Sequence, residues 1–106
     1  HVDQFVSTLS GGNKQKVVLA KWIAQNPDIL ILDSPTRGID IKVKSSIYSF
    51  MQDLVKEKKA IILISEEILE LIGMSDRVLI LKNGKISSEL LREDTLTEEK
   101  IINCMI

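Results

Sequence analysis

An apolar run that stops on a carboxylate, Ile29-Leu30-Ile31-Leu32 and then Asp33, lies one helix-length after a polar glycine turn, Leu9-Ser10-Gly11-Gly12-Asn13-Lys14-Gln15. This ordered pair constrains the chain more than anything else in it. A helix that opens on glycines presents unpaired backbone amides and the positive end of its dipole, which attract phosphate. A strand that ends on Asp33 puts charge where open α/β sheets gather their ligand chemistry, outside the carboxyl ends of the strands. Each half also has a bland reading: an ordinary N-cap with a glycine turn, and a turn-capping aspartate before Pro35. The order and spacing of the two favour a phosphate site. No Gly-x-x-x-x-Gly-Lys-[Ser/Thr] phosphate loop occurs in the 106 residues.

The remaining pattern alternates helix and strand. The first helix is expected over about 12–25 with Ser10 as N-cap, and its apolar residues Val17, Val18, Leu19, Ala20, Trp22, Ile23 and Ala24 cover more than one face. Such a helix should be buried on most sides. Asn26-Pro27-Asp28 ends it, and the aliphatic run Ile29–Leu32 then suits a strand covered on both faces of a parallel sheet. A second helix over about 42–58 carries Val43, Ile47, Phe50, Met51, Leu54 and Val55 on one stripe. Ala60–Ile64 reads as another buried strand, followed by a short helix around 66–72 closed by Gly73. Segments 77–81 and 85–90 flank Asn83-Gly84, a strong hairpin signal, and Thr97 starts a last helix through about Cys104. The class implied is α/β, with right-handed crossovers and a mainly parallel sheet carrying an antiparallel edge hairpin.

Composition excludes several alternatives. Apolar residues at 44% are too many for a disordered tail, and a net charge of −1 provides no basic field for nucleic acid. The single cysteine, Cys104, can form no internal disulfide, and the longest apolar runs are strand-length. The acidic residues Glu66, Glu67 and Glu70 could suggest a metal site, but a solvated helix face is the preferred reading.

In their order and residues, Leu9 to Gln15 and Ile29 to Thr36 resemble the signature and Walker B motifs of ATP-binding-cassette ATPases. The likeness extends through Pro35-Thr36-Arg37-Gly38-Ile39-Asp40, Gly73-Met74-Ser75-Asp76-Arg77 and Lys82-Asn83-Gly84-Lys85. These are similar to the second half of bacterial monosaccharide importers of the ribose/galactose type, in which two ATPase halves share one chain. The resemblance implies a partial RecA-like P-loop ATPase core lacking the Walker A strand. Residues 1–106 would then be the C-terminal part of one nucleotide-binding domain, with the signature helix over about 10–25, the Walker B strand over about 29–33, and the closing hairpin and helix over about 77–104.

The same resemblance implies roles for residues. Ser10, Gly11, Gly12 and Asn13 would contact the γ-phosphate of ATP held by a sister nucleotide-binding half. Asp33 would hold Mg2+, and Asp40 would couple the facing domains. Two positions depart from the family pattern: Ser34 stands where a glutamate polarises the attacking water, and Glu66 stands where many relatives place a histidine. The implied site is therefore impaired for hydrolysis, and the chain by itself, without a phosphate loop, should be inactive. The implied partners are the sister half, membrane permease subunits and, indirectly, a sugar-binding protein, at the cytoplasmic face of the bacterial inner membrane. A non-catalytic dimerisation and permease-docking module is the alternative. In the family's sheet a further strand lies between 60–64 and 77–81, so these two strands are expected either to pair directly or to have the gap filled by a strand-swapped second copy.

Overall fold

The structure is a computed structural model and describes residues 11–92 and 96–106, with side chains of the first helix described from Lys14 onward. Ser10 therefore lies outside the described residues. Among the described residues eight elements follow in order: α1 (Gly11–Ile23), β1 (Ile29–Asp33), α2 (Ile41–Lys56), β2 (Ala60–Ile64), α3 (Ile68–Met74), β3 (Arg77–Lys82), β4 (Lys85–Leu91) and α4 (Glu98–Met105). This is the α/β order expected from the sequence. The chain divides into two compact units, residues 1–64 and residues 65–106.

In the first unit β1 and β2 pair in parallel, Ile29 opposite Ala60 through Asp33 opposite Ile64. Backbone bonds extend the ladder at both ends, from Ala60 N–H to the Asp28 carbonyl (2.9 Å) and from Ser34 N–H to the Ile64 carbonyl (2.7 Å). The amphipathic helix α2 turns Ile47, Met51 and Leu54 inward, packing against β2 and α1. Leu19, Leu30 and Leu32 complete the buried apolar set of this unit.

The strands depart from expectation in their burial. β1 alternates, with Leu30 and Leu32 buried while Ile29 and Ile31 are 61% and 64% exposed. On β2, Ile62 and Ile64 are likewise exposed. The sheet is covered on one face only, because α1 and α2 are the only helices this unit contains among the described residues. Helix α1 is also less buried than its composition implies: Leu19 is inside, but Trp22 is 55% exposed and Val18 lies open as well.

The second unit is built on a hairpin. β3 and β4 pair antiparallel around Asn83 (φ 53°) and Gly84 (φ 76°), the two successive positive φ values of a type I′ turn. The register shifts after Ile80, which leaves Ser87 without an opposite residue, and the Ser87 hydroxyl donates to the Ile80 carbonyl at 3.2 Å. Val78, Ile80 and Ile101 form the core, with Ile68, Leu71, Ile72, Leu90, Leu96 and Cys104 packed on it. Thr97 caps α4, its hydroxyl accepting from the Lys100 N–H. Arg92 binds the end of α3, donating through Nε to the Ser75 carbonyl at 2.7 Å and through its guanidinium to the Ile72 carbonyl.

Two further expectations are corrected here. Gly73 does not close α3, which runs on to Met74 and is capped by Ser75, whose N–H bonds the Leu71 carbonyl. Of the two outcomes expected for strands 60–64 and 77–81, direct pairing does not occur: the ladders are the pairs β1–β2 and β3–β4, and none joins them among the described residues.

Candidate functional site

Asp33 is the last residue of β1, so its position follows from the strand's alternation. It shares a face with Ile29 and Ile31, the open face of the sheet, and its side chain is exposed. Among the described residues no group of three or more His, Cys, Asp or Glu side chains gathers that could hold a metal. A single exposed carboxylate at a strand end nevertheless suits Mg2+, which keeps several waters and takes one or two protein carboxylates beside a substrate's phosphates.

Ser34 follows in left-handed backbone, φ 50°. A non-glycine residue in this region costs about 1–2 kcal/mol, and such conformations persist where neighbouring structure holds them. Here the Ser34 N–H is tied to Ile64, and the next two residues, Pro35 and Thr36, are fully buried. The Ser34 hydroxyl donates to Asp33 Oδ1 at 3.2 Å. The pair is thus a carboxylate with a hydroxyl on it, an arrangement that can bind a cation or orient a water but offers no second carboxylate as a base.

Two turns then carry the chain to α2. Arg37 N–H bonds the Ser34 carbonyl and Ile39 N–H bonds the Thr36 carbonyl, each at 3.3 Å, with Gly38 at φ 69° supplying the left-handed step of the second turn. Asp40 is the N-cap of α2: Oδ1 accepts from the Lys42 N–H at 2.9 Å. A capping role for Asp40 was not part of the sequence reading, although Asp before a helical stripe is the ordinary signal for one.

Gly11, Gly12 and Asn13 form the first turn of α1. Glu66 lies in the second unit, exposed, in the short link between β2 and α3. Its neighbour Glu70 corrects the solvated-face expectation: it is only 6% exposed, and Ser65 Oγ donates to its Oε2. Sequence reasoning missed this because Ser65 and Glu70 stand five apart, a spacing that belongs to no helical or strand pattern. The available signal was an acidic residue set among the inward-facing Ile68, Leu71 and Ile72.

The order of elements and their path match part of the fold of ATP-binding cassettes. MJ1267, an ATP-binding cassette of an ABC transporter, superposes with a TM-score of 0.79 at 21% identity, covering 95% of this chain and 42% of that one. The ATP-binding cassette MJ0796, solved as a dimer in a post-hydrolysis state with ADP and Pi, matches with a TM-score of 0.71 at 29% identity over 80% of this chain and 37% of that one. Residues 1–37 match the ABC transporter family model. The ribose import ATP-binding protein RbsA of Roseobacter denitrificans is 50% identical over 95% of this chain, and the L-arabinose transport ATP-binding protein AraG of Geobacillus stearothermophilus is 51% identical over 98%. The xylose import ATP-binding protein XylG of Geobacillus kaustophilus is 52% identical over 93%. The chain belongs to the ABC transporter ATP-binding protein family. It spans about a fifth of the length of these curated relatives.

Proposed function

We propose that this chain is the C-terminal part of the second nucleotide-binding domain of a sugar-importing ABC ATPase, with a well-formed signature and a weakened hydrolytic site of its own. The observation that carries the reading is the identity of about half the residues, across nearly the whole chain, with relatives named for ribose, arabinose and xylose import. In this reading Ser10, Gly11, Gly12 and Asn13 contact the γ-phosphate of ATP bound by the sister half, and Asp40 couples the two halves while capping α2. Asp33 holds Mg2+ beside the nucleotide of its own half, where the ion neutralises phosphate charge. Ser34 cannot take a proton from water as a carboxylate does, and Glu66 brings an anion where a phosphate contact is needed. Permease subunits and, through them, a sugar-binding protein are the partners, at the cytoplasmic face of the membrane. No helix among the described residues is long and apolar enough to cross a bilayer.

Ser34 and Glu66 also fit a second reading, a degenerate half kept for dimerisation and permease docking. Binding of a fluorescent ATP analogue to the complete protein, with and without Mg2+, separates the two. Mg-dependent binding at two sites per chain, lowered to one by Asp33→Ala, supports the ATPase reading. Binding at one site unaffected by that substitution supports the docking module.

A further inference from the structure

Glu70 is the buried carboxylate of the described residues, on a helix of only seven residues whose neighbours Ile68, Leu71 and Ile72 pack on an apolar core. Burying a carboxylate is costly unless it is well bonded, and an apolar residue of similar volume would pack at least as well. Here Glu70 Oε2 accepts a hydrogen bond from the Ser65 hydroxyl. That hydroxyl has lone pairs to spare, and it accepts the Glu67 N–H at 3.0 Å. Glu67 is the N-cap of α3 but makes no cap bond with its own side chain. The start of the helix is thus fixed by Ser65, and Ser65 is fixed by Glu70. Glu66 is bracketed between the two bonded residues, with its side chain exposed.

We propose that Ser65 and Glu70 form a latch that sets the backbone of Glu66, and that they are positioning residues for the nucleotide response of this segment. The proposal rests on the ATP-binding reading above and deepens it. A latch of this kind makes the segment's response to nucleotide depend on a partly buried bond rather than on the identity of residue 66.

Amide hydrogen exchange over residues 64–71 of the complete protein, with and without the ATP analogue AMP-PNP and Mg2+, tests it. In the wild type AMP-PNP should slow exchange in this segment. Ser65→Ala should speed exchange of the Glu67 amide about fivefold without nucleotide, the protection of one ordinary hydrogen bond, and should abolish the slowing by AMP-PNP. Glu70→Gln keeps a carbonyl that can accept from Ser65 and should restore both behaviours, whereas Glu70→Ala should not. Should Glu70→Ala fail to fold, Ser65→Ala and Glu70→Gln still decide the question, since neither leaves a large cavity. Unchanged Glu67 exchange in Ser65→Ala overturns the latch. Faster exchange with the AMP-PNP effect intact overturns the positioning role and reduces the pair to a fold contact. A wild type that binds no AMP-PNP overturns the ATP-binding reading, and the positioning role with it, while the nucleotide-free exchange rates still show whether the bonds form.

Discussion

Ser34 combines a left-handed backbone without glycine and a hydroxyl placed on the neighbouring carboxylate. A backbone held at this cost is a common feature of sites where side-chain direction matters more than local stability. Under the proposed function, Ser34→Glu should restore a water-orienting carboxylate. In a complete ATPase whose other site has been silenced, turnover should rise roughly a hundredfold, the usual worth of a positioned general base. Unchanged turnover would mean the deficit lies elsewhere, Glu66 being the next suspect. Asp40 offers a cleaner dissection, because capping and cross-domain coupling make different demands. Asp40→Asn keeps an oxygen for the Lys42 N–H and should leave stability nearly unchanged, whereas Asp40→Ala should cost about 1 kcal/mol in a denaturant titration. A loss of ATPase activity in both variants alike, with stability lost only in the second, would identify coupling as a separate role of this carboxylate. Asp33 was legible in the sequence because the apolar run before it marks a strand end, whereas Ser34 and Glu66 stood out only as departures from the pattern of the family the chain resembles. The burial of Glu70 was not legible, since it depends on a hydroxyl five residues away.

Among the elements, α2 shows where sequence reading stops short. Its stripe of Ile47, Met51 and Leu54 is buried as the periodicity requires, but the helix ends at Lys56 rather than near Lys58. Lys58 adopts φ 67°, its N–H bonds the Val55 carbonyl at 2.9 Å, and the Lys59 N–H bonds the Leu54 carbonyl at 3.1 Å. These are the two bonds of a Schellman cap, with lysine in the position that usually belongs to glycine. Without a glycine to mark it, the stop could not be seen in advance. Lys58→Gly should therefore stabilise the protein by about 1 kcal/mol, offset in part by glycine's greater freedom when unfolded. A fall in midpoint denaturant concentration would show that the lysine side chain supports the cap more than its backbone strains it. The hairpin turn, though not the register shift beyond it, was legible for the opposite reason: Asn83-Gly84 names its own turn.

The whole chain consists of two units with separate small cores, one under α2 and one around Ile101. The runs Ile29–Leu32 and Ala60–Ile64 told that strands would form, and they paired in parallel as an α/β order requires. They could not tell how many layers would cover them, since a continuous aliphatic run reads the same whether its second face is packed or bare. In the structure that face shows Ile29, Ile31, Ile62 and Ile64 to solvent. Contiguous apolar surface of this kind, beside strands whose outer edges are unpaired among the described residues, drives association. The 106-residue chain by itself should accordingly exceed the monomer mass of 11.9 kDa in light scattering, through strand exchange or face-to-face packing, and Ile31→Lys should shift it toward monomer. A monodisperse monomer would show that the open face is tolerated. Whether this chain completes an ATP site on a facing half, as proposed, is read from the ATP turnover of the complete ATPase carrying Ser10→Arg. Turnover should fall about a hundredfold or more, as when a phosphate-facing donor is removed from a catalytic site. Turnover within a factor of about two of the wild type, too small to reflect a lost transition-state contact, would contradict the proposal.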